Sequence, residues 1–282
     1  MIASAHERAS GTGGLAPALA AARTRIGLIA LLFGLAAIGW LWTIDEMRGM
    51  DGGPWSDLGT LAWFVGVWVA MMAAMMFPSV APTVALYSSM TKSRSPVAPI
   101  LFTSGYLAAW TSIGVLAFAV ATAGGRISGD LLAWDRAGRW VAGATLIVAA
   151  FYELTPLKDA CLGKCRSPLG FLLGSWRNGP SGALQMGARH GAWCIGCCWA
   201  LMASLFALGV MSIVWMAAVA GLIAFEKLIP SRRAATYVTA GILLVLGMLL
   251  IASPDSIPAL TVPGSDSMPQ MDQMNQMNDM DP

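Results

Sequence analysis

Long apolar runs broken by short polar stretches dominate the chain from residue 26 to residue 252. At a rise of about 1.5 Å per residue, a helix of roughly 20 mainly apolar residues crosses the hydrocarbon core of a bilayer. The pattern predicts about seven such helices, at 26–44, 61–87, 98–123, 138–155, 190–208, 211–229 and 235–252. Their limits are marked by Trp40 and Trp42 near the end of the first and by Pro78 and Pro82 late in the second. Ser95-Pro96 precedes the third and Gly124-Gly125 ends it, Thr155-Pro156 closes the fourth, and Ser253-Pro254-Asp255 closes the seventh. Between the fourth and fifth, 156–189 is polar, contains Gly and Pro, and carries five basic residues. The expected fold class is all-α, a polytopic transmembrane helix bundle over 26–252. Residues 1–25 are expected to be a flexible cytoplasmic arm and 253–282 a disordered, Met-rich tail. The apolar run after the arm has no obvious cleavage site and reads as a retained anchor.

Composition supports the bilayer. Of 282 residues, 57% are hydrophobic and 11% charged, against about 25% charged in a soluble domain. A net charge of +2, with 17 Lys and Arg spread thinly, gives no basic stripe for a phosphate backbone, so nucleic acid is not an expected partner. The basic residues do fix an orientation. With the N-terminus inside, 13 of them fall in cytoplasmic segments, and only Arg48, Arg126, Arg136 and Arg139 fall outside. That places the C-terminus outside, and the expected location is a bacterial inner (cytoplasmic) membrane.

Sulfur is the next feature that changes the picture. The tail places Met268, Met271, Met274, Met277 and Met280 at every third position among Asp, Asn and Gln, with nothing apolar between them to form a core. Thioether sulfur is a soft ligand for copper(I) and silver(I) and has no proton to lose. Within the predicted second span, Met71/Met75 and Met72/Met76 are i, i+4 pairs, each on one helix face. The spacing matches the MxxxM motif of Ctr-type copper transporters, though methionine is also an ordinary gap-filler.

All five cysteines fall within 38 positions, an odd number and a poor disulfide framework. Cys161 and Cys165 form one i, i+4 pair, while His190, Cys194 and Cys197 stand at i, i+4 and i+7, with Cys198 adjacent. Thiolate and imidazole together suit copper(I), with zinc as the alternative. Lys158, Lys164, Arg166 and Arg189 nearby favour the thiolate form. The alternative to a metal site is a cysteine-lined packing region. Glu153 and Glu226 are ionisable groups in apolar surroundings and candidates for a pathway. Asp159 is either an oxygen ligand or part of a helix end.

The blocks MMAAMMFPSVAP, TPLKDACLGKCRSPLGF, GALQMGARHGAWCIGCCWALM and EKLIP resemble a bacterial family of predicted metal-binding integral membrane proteins, over about 60–230. Met71, Met72, Met75, Met76, Pro78, Lys158, Cys161, Cys165, His190, Cys194, Cys197, Cys198 and Glu226 fall within these blocks. The resemblance implies metal binding and nothing finer, and the Met-rich tail lies outside it.

The function expected is binding, and transport or hand-over, of a soft metal ion, copper(I) first. Its partners would be the bilayer, the ion, and a periplasmic metal-binding protein or a second copy of the chain. No phosphate-binding G-x-x-x-x-G-K-[ST] motif is present, so any transport would draw on a gradient or a partner. No catalytic residues are assigned. A thiol-redox or haem-handling oxidoreductase is a second reading, since Cys194 and Cys197 have C-x-x-C spacing, but only His6 and His190 are available to ligate haem. A structural subunit that anchors a partner complex is the third.

Overall fold

The computed structural model describes residues 15–46, 59–91, 97–128, 138–208 and 212–253. The start of the expected arm and the tail methionines Met268 to Met280 lie outside the described residues. Among the described residues the chain is all helix. The helices are α1 (Leu15–Glu46), α2 (Leu61–Thr91), α3 (Ala98–Ser128), α4 (Arg139–Glu153), α5 (Pro156–Cys165), α6 (Pro168–Ser175), α7 (Gly179–Leu208), α8 (Ile213–Leu228) and α9 (Arg232–Ala252).

Four of these are long and apolar enough to cross a membrane: α1 from Ala22, α2, α3 as far as Gly124, and α9. α4 and α5 meet at a 71° bend and add a fifth if they form one broken span. The sequence pattern had pointed to seven. Beyond the broken α4–α5 pair, which stands where 138–155 was expected, the difference lies in two places. The expected 190–208 crossing is only the second half of the 30-residue α7, whose first half carries Gln185 and Arg189. The expected 211–229 crossing is the 16-residue α8, about 24 Å long against a hydrocarbon core of roughly 30 Å.

The stretch 156–189, which reads as a polar break, is also helical for most of its length, and proline is the reason. Pro156 and Pro168 each open a helix, where the missing N–H costs nothing and the fixed φ already fits. Thr155 accepts the Lys158 backbone N–H at 3.3 Å and so caps α5. Gly179, at φ +82°, supplies the left-handed residue with which α7 begins.

The chain divides into two compact units. The first comprises Met1–Thr43, Val65–Gly114 and Cys161–Ile195. Its core is aromatic and sulfur-rich, with Trp68, Met72, Met76, Tyr87, Phe102, Tyr106, Trp110, Phe171 and Met186 all buried. Pro78 and Pro82 interrupt the hydrogen-bond ladder of α2, and the Ser79 hydroxyl donates to the Met76 carbonyl at 2.8 Å beside the break. The second unit comprises Ile44–Phe64, Val115–Ala160 and Gly196–Pro282. There α4 and α9 cross at Gly143 and Gly247, where a Cβ on either residue would stand 3.0 Å from the carbonyl oxygen of the other. Small residues of this kind let apolar helices approach backbone to backbone.

Many large apolar side chains face outward, among them Ile26, Ile38 and Leu41 on α1, Ile100 and Val120 on α3, and Val245 and Met248 on α9. Several Ser and Thr hydroxyls turn back onto the carbonyl four residues earlier, as Thr111 does to Leu107, Thr145 to Val141 and Ser204 to Ala200. Both features would suit helices placed in a bilayer, where polar groups are satisfied without water.

Candidate metal centre

The cysteines sit on two helices, α5 and α7, and all five are buried and outside any disulfide. α5 turns Cys161 and Cys165 inward while leaving Lys164 exposed. α7 is unbroken from Gly179 to Leu208, so Cys197 follows Cys194 by about one turn on the same rod. The sulfurs of Cys165, Cys194 and Cys197 all lie within 4.8 Å of one another. An ion held by three coplanar sulfurs at about 2.3 Å separates them by roughly 4 Å, so the spacing fits such an ion with little adjustment. Cys165 is thus the residue through which α5 meets the cysteines of α7. Cys198 adds a neighbouring thiol, with its sulfur 3.3 Å from that of Cys197.

The other sequence candidates are placed differently. His190, one turn before Cys194, lies in an aromatic enclosure of Phe171 at 4.7 Å, Phe102 at 5.9 Å and Tyr106 at 6.0 Å between ring centroids. It does not join the three-sulfur group, and neither do Cys161 and Cys198. Met71, Met72, Met75 and Met76 are all buried in the α2 core. Asp159 is exposed and pairs with Arg232 at 3.4 Å, an ordinary surface contact.

Glu153 and Glu226 have a different partner from any the sequence indicated. Lys158, fully buried, places its ammonium 2.6 Å from one Glu153 oxygen and 2.9 Å from a Glu226 oxygen. Three helix ends meet in this ion triad: the C-terminal residue of α4, the first turn of α5 and the last turn of α8. Lys158 reads in the sequence as one of four basic neighbours that favour a thiolate, yet its ammonium is directed at carboxylates. The bend between α4 and α5 makes this possible by returning Lys158 to Glu153, five residues earlier.

Tyr106 is the residue that sequence reasoning missed. Its hydroxyl lies 3.2 Å from the Cys194 sulfur, across 88 positions of chain. No local spacing signals that contact; only the small residues Gly105, Gly187 and Gly191, which let α3 and α7 close on each other, hint at it.

Neither a curated protein nor a solved structure matches this chain. A family model does match, over residues 65–250, and its description is PpoB2, copper chaperone. The matched region holds all five cysteines, the four α2 methionines, Tyr106 and the ion triad, and excludes the Met-rich tail. The chain belongs to this copper-chaperone family.

Proposed function

We propose that the protein is a membrane-embedded copper chaperone that binds copper(I) through Cys165, Cys194 and Cys197 and hands it to a partner. The observation that carries this reading is the convergence of three buried thiol sulfurs within 4.8 Å, in a chain of a copper-chaperone family. Soft thiolates suit copper(I), which is content with two or three of them, whereas structural zinc takes four ligands in a tetrahedron. A group of three sulfurs therefore suits copper(I).

Hand-over needs neighbouring soft donors, so that an incoming sulfur joins the ion before an outgoing one leaves. Cys198 and Cys161 are the nearest reserve of thiols along the same helices. The thioethers of Met71, Met72, Met75 and Met76, with Met268, Met271, Met274, Met277 and Met280 of the tail, are the route by which the ion approaches. In this reading α1, α2, α3 and α9 cross the inner membrane. The full seven-crossing arrangement, N-terminus inside and tail outside, requires α4 with α5, α7 and α8 to cross as well. A reporter fused after Ser253 that is active only outside the membrane supports it, and cytoplasmic activity removes the tail as an outer collector.

The test of the central reading uses the full chain purified in detergent. Competition against a chromophoric copper(I) chelator is expected to give one tightly held ion. A variant with Cys165, Cys194 and Cys197 all changed to Ser is expected to lose it. Retention of that ion by the triple variant defeats the reading. A thiol-redox role would instead show as a disulfide between Cys194 and Cys197 that cycles with a reductant and leaves metal content unaffected.

A further inference from the structure

Tyr106 reaches the sulfur group from α3, and its position there is held from several sides. A Cβ at Gly187 would collide with the Phe102 carbonyl, and one at Gly105 with the Leu184 carbonyl. At Gly191 it would stand 2.8 Å from the Ala109 Cβ and 3.0 Å from the carbonyl oxygen of Tyr106 itself. The backbones of α3 and α7 are thus in direct contact on both sides of Tyr106. Its fully buried ring packs beside His190, and its hydroxyl ends 3.2 Å from the Cys194 sulfur.

Between a phenol and a thiol at this distance, either group can be the donor. Metal binding removes the choice. A metal-bound thiolate has no proton to give, so the phenol must donate. Cys194 is almost wholly buried, and a sulfur anion there has little water to solvate it. A charge-assisted hydrogen bond offsets part of that desolvation and directs the remaining sulfur lone pairs. Donors that orient a ligand in this way shape metal sites as much as the ligands do.

We propose that Tyr106 is a positioning residue for copper(I) capture: its hydroxyl donates to Cys194 and holds that sulfur in the direction that closes the three-sulfur group. The proposal rests on the reading of Cys165, Cys194 and Cys197 as the copper site. Tyr106 itself touches no metal.

The experiment measures copper(I) affinity by chelator competition on the full chain in detergent, together with the near-ultraviolet sulfur-to-copper(I) charge-transfer band. Tyr106→Phe keeps the ring and removes the donor. It is expected to weaken copper(I) binding about tenfold, the lower end for loss of an outer partner of a ligand. The band is expected to move to longer wavelength, because the hydrogen bond had stabilised the sulfur lone pair, and packing alone does not shift it this way. Tyr87→Phe, at another buried tyrosine of the same unit, is expected to change neither readout. Incorporation of 3-fluorotyrosine at position 106 makes a stronger donor, and the band should move to shorter wavelength. This second variant carries the test if Tyr106→Phe does not fold. An unchanged band and affinity in the variant that folds overturns the role of Tyr106 and leaves the copper reading standing. Failure of the wild-type chain to bind copper(I) overturns both.

Discussion

Lys158, in the first turn of α5, is buried between two carboxylates, whereas Cys165, the last residue of the same helix, is buried among sulfurs. The first group is hard, charged and directional. The second is soft, weakly polar and open to a metal. A buried charged group persists only when oppositely charged partners surround it, and the Lys158 ammonium already occupies the space between the two carboxylates. A group of thiols pays little for burial as neutral S–H, and it gains a full set of bonds when a soft ion displaces the protons. Burial alone therefore does not identify a metal site. The nature of the buried atoms decides it, and on α5 the two cases stand less than three turns apart.

The comparison breaks most visibly at Lys158. Lys158→Met strands Glu153 and Glu226 without their cation and is expected to cost about 3–5 kcal/mol, the range for breaking a buried ion pair from one side. Thermal unfolding in detergent reads this out. Adding Glu153→Gln and Glu226→Gln to Lys158→Met removes the whole charge set and should recover most of the lost stability, with copper(I) affinity unchanged throughout. Recovery without copper binding would move the triad from scaffold to site.

A smaller effect sharpens the other side. Cys165→Ser removes one sulfur of three and is expected to weaken copper(I) binding by more than about a hundredfold, the upper range for loss of a mere outer partner. The unfolding midpoint should change far less than in Lys158→Met. A large loss of stability with copper binding preserved would make Cys165 a packing residue.

How far the sequence could be read follows the same division. Helices and apolar faces are local, so the runs at 61–87, 98–123 and 235–252 return as α2, α3 and α9 with similar limits. Of the six Cys and His positions that the spacing singles out, Cys165, Cys194 and Cys197 come together, while Cys161, Cys198 and His190 do not join them. His190 shows the limit of that argument: correct spacing with Cys194 placed it on the same helix, but its ring is taken up by aromatic neighbours. The helices within 156–189 were missed because polar composition was weighed above the Thr155-Pro156 and Ser167-Pro168 starts. The partners of Lys158 and Cys194 were not readable at all. Glu226 lies 68 positions from Lys158, and Tyr106 lies 88 positions from Cys194, distances at which periodicity carries no information.

Two further variants have smaller effects. Changing Met268, Met271, Met274, Met277 and Met280 to Leu keeps the charge of the tail and removes its sulfur. The full chain should then lose weak additional silver(I) binding and keep the tight site unaltered; unchanged silver(I) stoichiometry would make those sulfurs incidental. Asp159→Asn breaks only an exposed pair with Arg232 and should cost at most about 1 kcal/mol, with copper(I) binding as in the wild type. A copper-binding loss at Asp159 would bring an oxygen ligand back into the account.

The most direct measurement is X-ray absorption at the copper edge on the full chain loaded with one equivalent of copper(I). Three sulfur neighbours at about 2.3 Å are predicted for the wild type, falling to two sulfurs when Cys165 is changed to Ser. A first shell of nitrogen or oxygen, or a sulfur shell that does not change in Cys165→Ser, would contradict a copper site built from Cys165, Cys194 and Cys197.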